Sequence, residues 1–245
     1  MRLWKAWMIA KKDMKIIKRR KFLLGLIFGL PLAIGIGLPL IIHVVIGRRG
    51  FVAGIESDLI SAFGFFFIII SAFLPLYISS YGIVGEKLEK SIEPLLSTPT
   101  TDGEILMGKY IGTFIPSILS IYLGSVVYMA FIDILTRGYF GSYFFPNLSF
   151  SVLLILGVPA ASTYAITLSV FVSSKVNNVV SAYQGGGLTL IPFLALYVLG
   201  EIGLVKLDEI TNIVYVSLGL IAVAIFMYFI SRATFGREKI LTEWK

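Results

Sequence analysis

Six stretches without Asp, Glu, Lys or Arg, at 22–46, 59–84, 110–132, 150–174, 176–200 and 213–231, divide the chain into apolar runs of 19 to 26 residues. A bilayer's hydrocarbon core takes about 20 helical residues to cross, and a charge left inside it costs several kcal/mol. The runs are apolar throughout rather than at alternate positions. They therefore read as α-helices, each satisfying its own backbone, and not as strands of a barrel. The pattern predicts an all-α polytopic membrane protein with six transmembrane helices forming one domain over 22–231, flanked by cytoplasmic ends at 1–21 and 232–245.

Residues 1–21 carry their own pattern. Leu3, Trp7, Ala10, Met14 and Ile17 recur at spacings of four, three, four and three, with Trp4 beside them, while Lys5, Lys12 and Arg19 fall on another face. This predicts an N-terminal amphipathic helix lying in the membrane interface, its lysine stems reaching outward. A plain basic flank and a soluble helix docked on a partner are the alternatives.

The longest polar connection is 85–109. Leu88, Ile92, Leu95 and Leu96 continue an apolar stripe past Val84, with Glu86, Lys87, Glu89 and Lys90 toward water, until Pro94 disfavours helix at Glu93. Thr98 and Pro99 make a turn. Thr101, with Glu104 three residues on, spells a capping box that starts the third helix near Asp102. The segment reads as a helical elbow standing off the membrane, its apolar face awaiting a partner; a hairpin packed on its own bundle is the plainer reading.

Charge sets the orientation. Lys and Arg number 17 on the side of the leader, elbow and tail and 4 on the other, which predicts cytoplasmic termini in a multi-pass protein of the cell membrane. The net charge of +7 then reads as topology and attraction to anionic membrane lipids, not to nucleic acid, because the basic residues are juxtamembrane. With 57% hydrophobic and 14% charged residues, no soluble core could hide this apolar surface. Cysteine is absent, which excludes disulfides and Cys metal sites, and the single Gln would suit a heat-adapted source. The first apolar run is too long, and its basic lead too extended, for a cleaved signal peptide.

Chemistry is excluded class by class. Gly103, Gly108 and Lys109 reproduce the GxxxxGK phosphate loop, but Tyr110 stands where magnesium needs Ser or Thr and no strand precedes it. Ion-coupled carriers place carboxylates or basic residues within the membrane; these runs hold no Asp, Glu, Lys or Arg, and Asp133 and His43 sit near outer helix ends. One histidine, His43, supplies neither a zinc motif nor a Ser–His pair. The chain reads as a non-enzymatic conduit, with no catalytic, metal or cofactor-binding residue, that is passive or powered from outside.

Residues 86–99, with Gly108 and Lys109 after them, resemble the cytoplasmic signature of type-2 (ABC-2 type) permeases of ATP-binding-cassette exporters. Glu86 and Lys87 match its opening, Ser91 stands for its Thr, and Ile92, Glu93, Leu95, Leu96, Thr98, Pro99, Ile105, Leu106, Gly108 and Lys109 match in turn. Leu88 and Lys90 depart from the usual acid and Gly. The resemblance implies a dimer with a second copy or a sister permease and two cytoplasmic ABC ATPase subunits that hold ATP and magnesium. It also implies that the elbow is the coupling helix through which they act. A stand-alone channel or secondary carrier, and a structural or signalling membrane subunit, are the competing classes.

Within the bundle, Ser162, Thr163, Thr167 and Ser169, with Ser117, Ser120 and Ser125, are candidates to line a polar path, although small polar residues also let helices pack. Gly25 and Gly29 form GxxxG. Gly185, Gly186 and Gly187, followed by Pro192, predict a bend or break midway along the fifth helix, read as a hinge with close packing as the alternative. Glu201, Asp208 and Glu209 make one outer mouth acidic, and 203–205 is apolar enough for a shallow dip into the membrane.

Overall fold

The computed structural model describes residues 2–50, 53–89, 91, 94, 97–176, 178–202, 204 and 209–234. Among these are ten α-helices, one π segment, one 3-10 turn and no strand. Six helical stretches are long and apolar enough to cross a membrane. The architecture is that of an all-α polytopic membrane protein.

Helix α1 (Leu3–Arg19) is followed by α2 (Lys21–Arg49), with Arg20 in extended backbone between them. Pro31 and Pro39 lie inside α2, which neighbouring helices allow in a membrane span. The second crossing joins α3 (Ala53–Gly64) to α4 (Phe66–Leu88) at Phe65. Next, α5 (Asp102–Phe140) runs for 39 residues. At 1.5 Å per residue that is about 58 Å, well beyond the roughly 30 Å of hydrocarbon. It starts on the predicted capping box, in which Glu104 N donates to Thr101 Oγ1 at 3.3 Å and Thr101 N to Glu104 Oε2 at 3.0 Å. It ends at Gly141, whose φ of 70° is the left-handed turn that glycine accepts most readily.

The fourth crossing is α6 (Leu148–Val152), the π segment Leu153–Gly157 and α7 (Val158–Lys175). Pro159, in the first turn of α7, has no N–H to give the preceding turn, and the ladder loosens just before it. The fifth is α8 (Val179–Gly187), a 3-10 turn at Leu188–Leu190 and α9 (Ile191–Glu201). The predicted interruption therefore falls directly after the three glycines, with Pro192 at the start of α9. The sixth is α10 (Ile210–Thr234). Of the predicted membrane dip at 203–205, Gly203 and Val205 lie outside the described residues.

α2 packs along α5, α4 along α7, α10 against α7, and α1 along the start of α5. A methyl added to Gly35 would meet Gly124 O at 2.5 Å, and one on Gly124 would meet Pro31 O at 2.6 Å, so the backbones of α2 and α5 touch. Gly25 and Gly29, by contrast, have nothing within 4 Å, and their GxxxG is no seam within this chain. Farther along, Phe67, Tyr128, Phe145 and Phe150 interlock, and Tyr128 donates to Ile60 O at 2.8 Å. Asp133 Oδ1 accepts from Phe144 N and Phe145 N at 2.9 and 3.0 Å, which makes it a loop anchor. At the opposite end, Gly103 lies within 4 Å of where Tyr228 and Arg232 of α10 reach. Both described ends of the chain thus lie at the elbow end of the bundle.

Candidate functional site

The elbow end is organised by α1. Its buried face is Ala6, Ile9, Ala10 and Ile17, while Leu3, Trp4 and Trp7 are exposed. Only Ala10 and Ile17 of the predicted stripe turn inward. The reason lies on α5, where a methyl on Gly108 would sit 2.7 Å from Ile9 Cβ and 2.8 Å from Ala6 O, and one on Gly112 would sit 3.2 Å from Ala10 Cα. Two glycines a turn apart let α1 dock almost backbone to backbone, and that docking, not hydrophobic periodicity, sets its rotation. The exposed Leu3, Trp4, Trp7 and Met8 remain as the face suited to an interface.

Docking carries charges into the joint. Lys109 Nζ, 3% exposed, lies 2.9 Å from Glu86 Oε2 and 3.6 Å from Asp13 Oδ2, and donates to Gly82 O at 2.8 Å. Lys12 Nζ reaches Glu86 Oε1 at 2.6 Å. Two ammonium groups and two carboxylates from α1, α4 and α5 balance one another. Burial pushes the Asp13 carboxyl above the usual carboxylate range; Lys109 pulls it down, the charge on Glu86 adds to the rise, and Lys12 opposes it.

This corrects the expectation that Glu86 and Lys87 face water. They are 6% and 3% exposed, whereas Leu88, assigned to the apolar stripe, is 49% exposed. Lys87 Nζ donates to Val176 O at 3.2 Å and Ser174 O at 3.5 Å, tying α4 to the link between α7 and α8. α4 also stops at Leu88, short of Pro94. Bonds from Glu89 N to Gly85 O and from Ser91 N to Glu86 O, both 2.9 Å, wind out its last turn in the manner of a Schellman cap. Of the elbow positions singled out, Ile92, Glu93, Leu95 and Leu96 lie outside the described residues.

The rest of the elbow is held from α1 as well. Thr98 and Pro99 sit in the predicted turn, where Thr100 N donates to Thr98 O at 2.7 Å and the ammonium of Lys5 reaches Pro99 O. Arg2 N donates to Glu104 Oε1 at 2.6 Å. Arg20 pairs with Glu89 at 2.5 Å and lies over the Tyr81 ring, 4.8 Å from its centre. Sequence reasoning missed Lys12, Asp13 and Arg20 as partners of the elbow. One signal was present, since Asp13 is the only acid among the nine basic residues of 1–21.

Of the four fourth-crossing hydroxyls singled out, three are hydrogen-bonded and that of Ser169 has no partner. Ser162 donates to Ser71 O at 2.8 Å, Thr163 donates to Pro159 O at 2.7 Å and meets the Tyr110 hydroxyl at 2.8 Å, and Thr167 bonds backbone carbonyls of its own helix. Ser169 is fully buried. None of the four lines the cavity of about 420 Å³ at the elbow end between α1, α2, α4 and α8. At the interruption of the fifth crossing, a methyl on Gly185 would meet Val172 Cγ1 at 2.6 Å and one on Gly186 would meet Ser80 Oγ at 2.5 Å, while Gly187 has open space. The first two glycines are packing positions.

Among the described residues no three His, Asp or Glu side chains gather as a metal site. The ion pairs and hydrogen bonds of the elbow end join the described parts of the elbow to α1, α4, α5 and the α7–α8 link. A comparison with curated proteins finds no match. The model of a protein family described as "ABC-2 family transporter protein" matches residues 14–195, from within α1 into α9. That match spans most of the sequence and agrees with the six crossings and the elbow signature, so the chain belongs to the ABC-2 family of transporter proteins and is a membrane permease subunit of an ATP-binding-cassette transporter.

Proposed function

We propose that this permease is half of an exporter, paired with a second copy or a sister permease, and driven by two cytoplasmic ATPase subunits that press on the elbow. The observation that carries the reading is the direction of the elbow's charges. Glu86, Lys87 and Lys109 turn inward to α1, α5 and the α7–α8 link, which leaves Leu88, Pro94, Ser97, Thr98 and Pro99 exposed to a partner. A load applied there would pass into α4 and α5 as tilt. The interruption after Gly187 supplies a place where a fifth crossing could yield and the path open. The lopsided lysine and arginine count supports a cytoplasmic elbow.

The test is direct. Glu93→Lys and Leu95→Arg, each expressed with the cognate ATPase, should lose ATPase co-purification and transport while the permease still inserts. Normal association and transport in both variants would overturn the coupling role. Orientation has its own test, since the chain lacks cysteine. A single Ser97→Cys should react with an impermeant maleimide only when the cytoplasmic face is open to it.

A further inference from the structure

We propose that the cavity between α1, α2, α4 and α8 is a binding site for one anionic phospholipid of the elbow-side leaflet, with the phosphate held by Arg20 and Lys21. At about 420 Å³ it has the size of a small-molecule site and room for a headgroup with the nearest part of one chain. Its polarity changes along its depth. On α4 the wall runs from Glu89 and Glu86 to Ser79 and Tyr77, twelve residues or about 18 Å deeper. On α2 it passes from Lys21 to Phe22 and Leu23 within a single turn. A gradient from charge to hydrocarbon fits a lipid and suits neither a soluble anion nor a wholly apolar guest.

Charge decides the headgroup. Around the cavity, Lys109 together with Lys12, which stands behind Glu86, balances Glu86 and Asp13, and Arg20 balances Glu89. Lys21, exposed at the mouth, meets no carboxylate among the described residues. Arg20 has donors left beyond its bond to Glu89. With Lys12 counted, Lys21 is the one positive charge left over, at the polar end of the cavity. Ser79, 2% exposed, is among the residues around the cavity, and its hydroxyl has no hydrogen-bond partner. The stacked rings of Tyr77 and Tyr183, 4.9 Å apart, also line the cavity and offer a flat wall for an acyl chain.

The site needs no ATPase, so it is measured on the permease alone and stands or falls apart from the coupling reading. The full chain is purified in detergent, supplied with phosphatidylglycerol or phosphatidylcholine, and weighed intact by native mass spectrometry. One phosphatidylglycerol should stay bound where phosphatidylcholine does not. Lys21→Gln should weaken retention about fivefold, and Val179→Trp, which fills the cavity from α8, should abolish it. Lys15→Gln, an exposed charge of α1 away from the cavity, should change nothing. Equal retention of both lipids, displacement by inorganic phosphate alone, equal loss in Lys15→Gln, or full retention in Val179→Trp would each overturn the proposal.

Discussion

Glu86 holds two lysines, and its removal would leave both Lys12 and Lys109 competing for Asp13. Unbalancing a buried ion pair costs about 3–5 kcal/mol. Glu86→Gln should therefore lower the thermal midpoint of the detergent-purified protein far more than Asp13→Asn, whose nearest ammonium is 3.6 Å away. Adding Lys109→Met to Glu86→Gln should recover part of the loss, because the two changes share one network. Asp13 also predicts a pH dependence. Its folded-state value lies above the ordinary 3.8, so it favours folding most when protonated, and that contribution fades as pH rises through the folded value. Comparing wild type with Asp13→Asn from neutral pH down to about 4 should show the difference in midpoint moving in favour of wild type on acidification. Glycines divide in the same way. Gly108→Ala drives a methyl into Ile9 and Ala6 and should cost about 1–3 kcal/mol. Gly25→Ala meets nothing and should be neutral or stabilising by up to about 1 kcal/mol.

In the proposed cycle the helices would divide between those that carry force and one that yields. α4 is fastened at its last turn to α1 through Glu86 and to the α7–α8 link through Lys87. Movement of the elbow therefore bears on the start of the fifth crossing as well as on its own two helices. Lys87→Met should keep the permease assembled with its ATPase yet lower transport per ATP hydrolysed, read in reconstituted vesicles. The fifth crossing separates bending from packing by position. Gly187→Ala touches nothing and acts only on backbone freedom beside the 3-10 turn, so it should slow transport several-fold with little change in thermal midpoint. Gly186→Ala presses on Ser80 and should lower the midpoint as well.

The six crossings were legible because bilayer thickness imposes a length and a polarity that each run shows plainly, and the capping box at Thr101 and Glu104 was legible because its chemistry is local. The interruption after Gly187 was legible for the same reason. What the chain alone did not disclose depends on distant partners. Glu86 and Lys87 read as solvated because they sit in a charged run, EKLEK, that looks self-sufficient; their partners in the fold are the distant Lys12, Lys109 and a carbonyl at Val176. The rotation of α1 was misjudged because Gly108 and Gly112, almost a hundred residues on, decide which face docks. The π segment at Leu153–Gly157 sits in a run of uniform hydrophobicity, where Pro159 just beyond it was the one mark and went unread. α5 has a consequence of its own, for it remains one unbroken helix through Pro116 and outreaches the membrane. Pivoted at mid-bilayer, a rod of about 58 Å that leans by roughly 10° swings each tip by about 5 Å. A nudge delivered beside Thr101 would thus be felt near Arg137, on the opposite shore, with no other moving part between them.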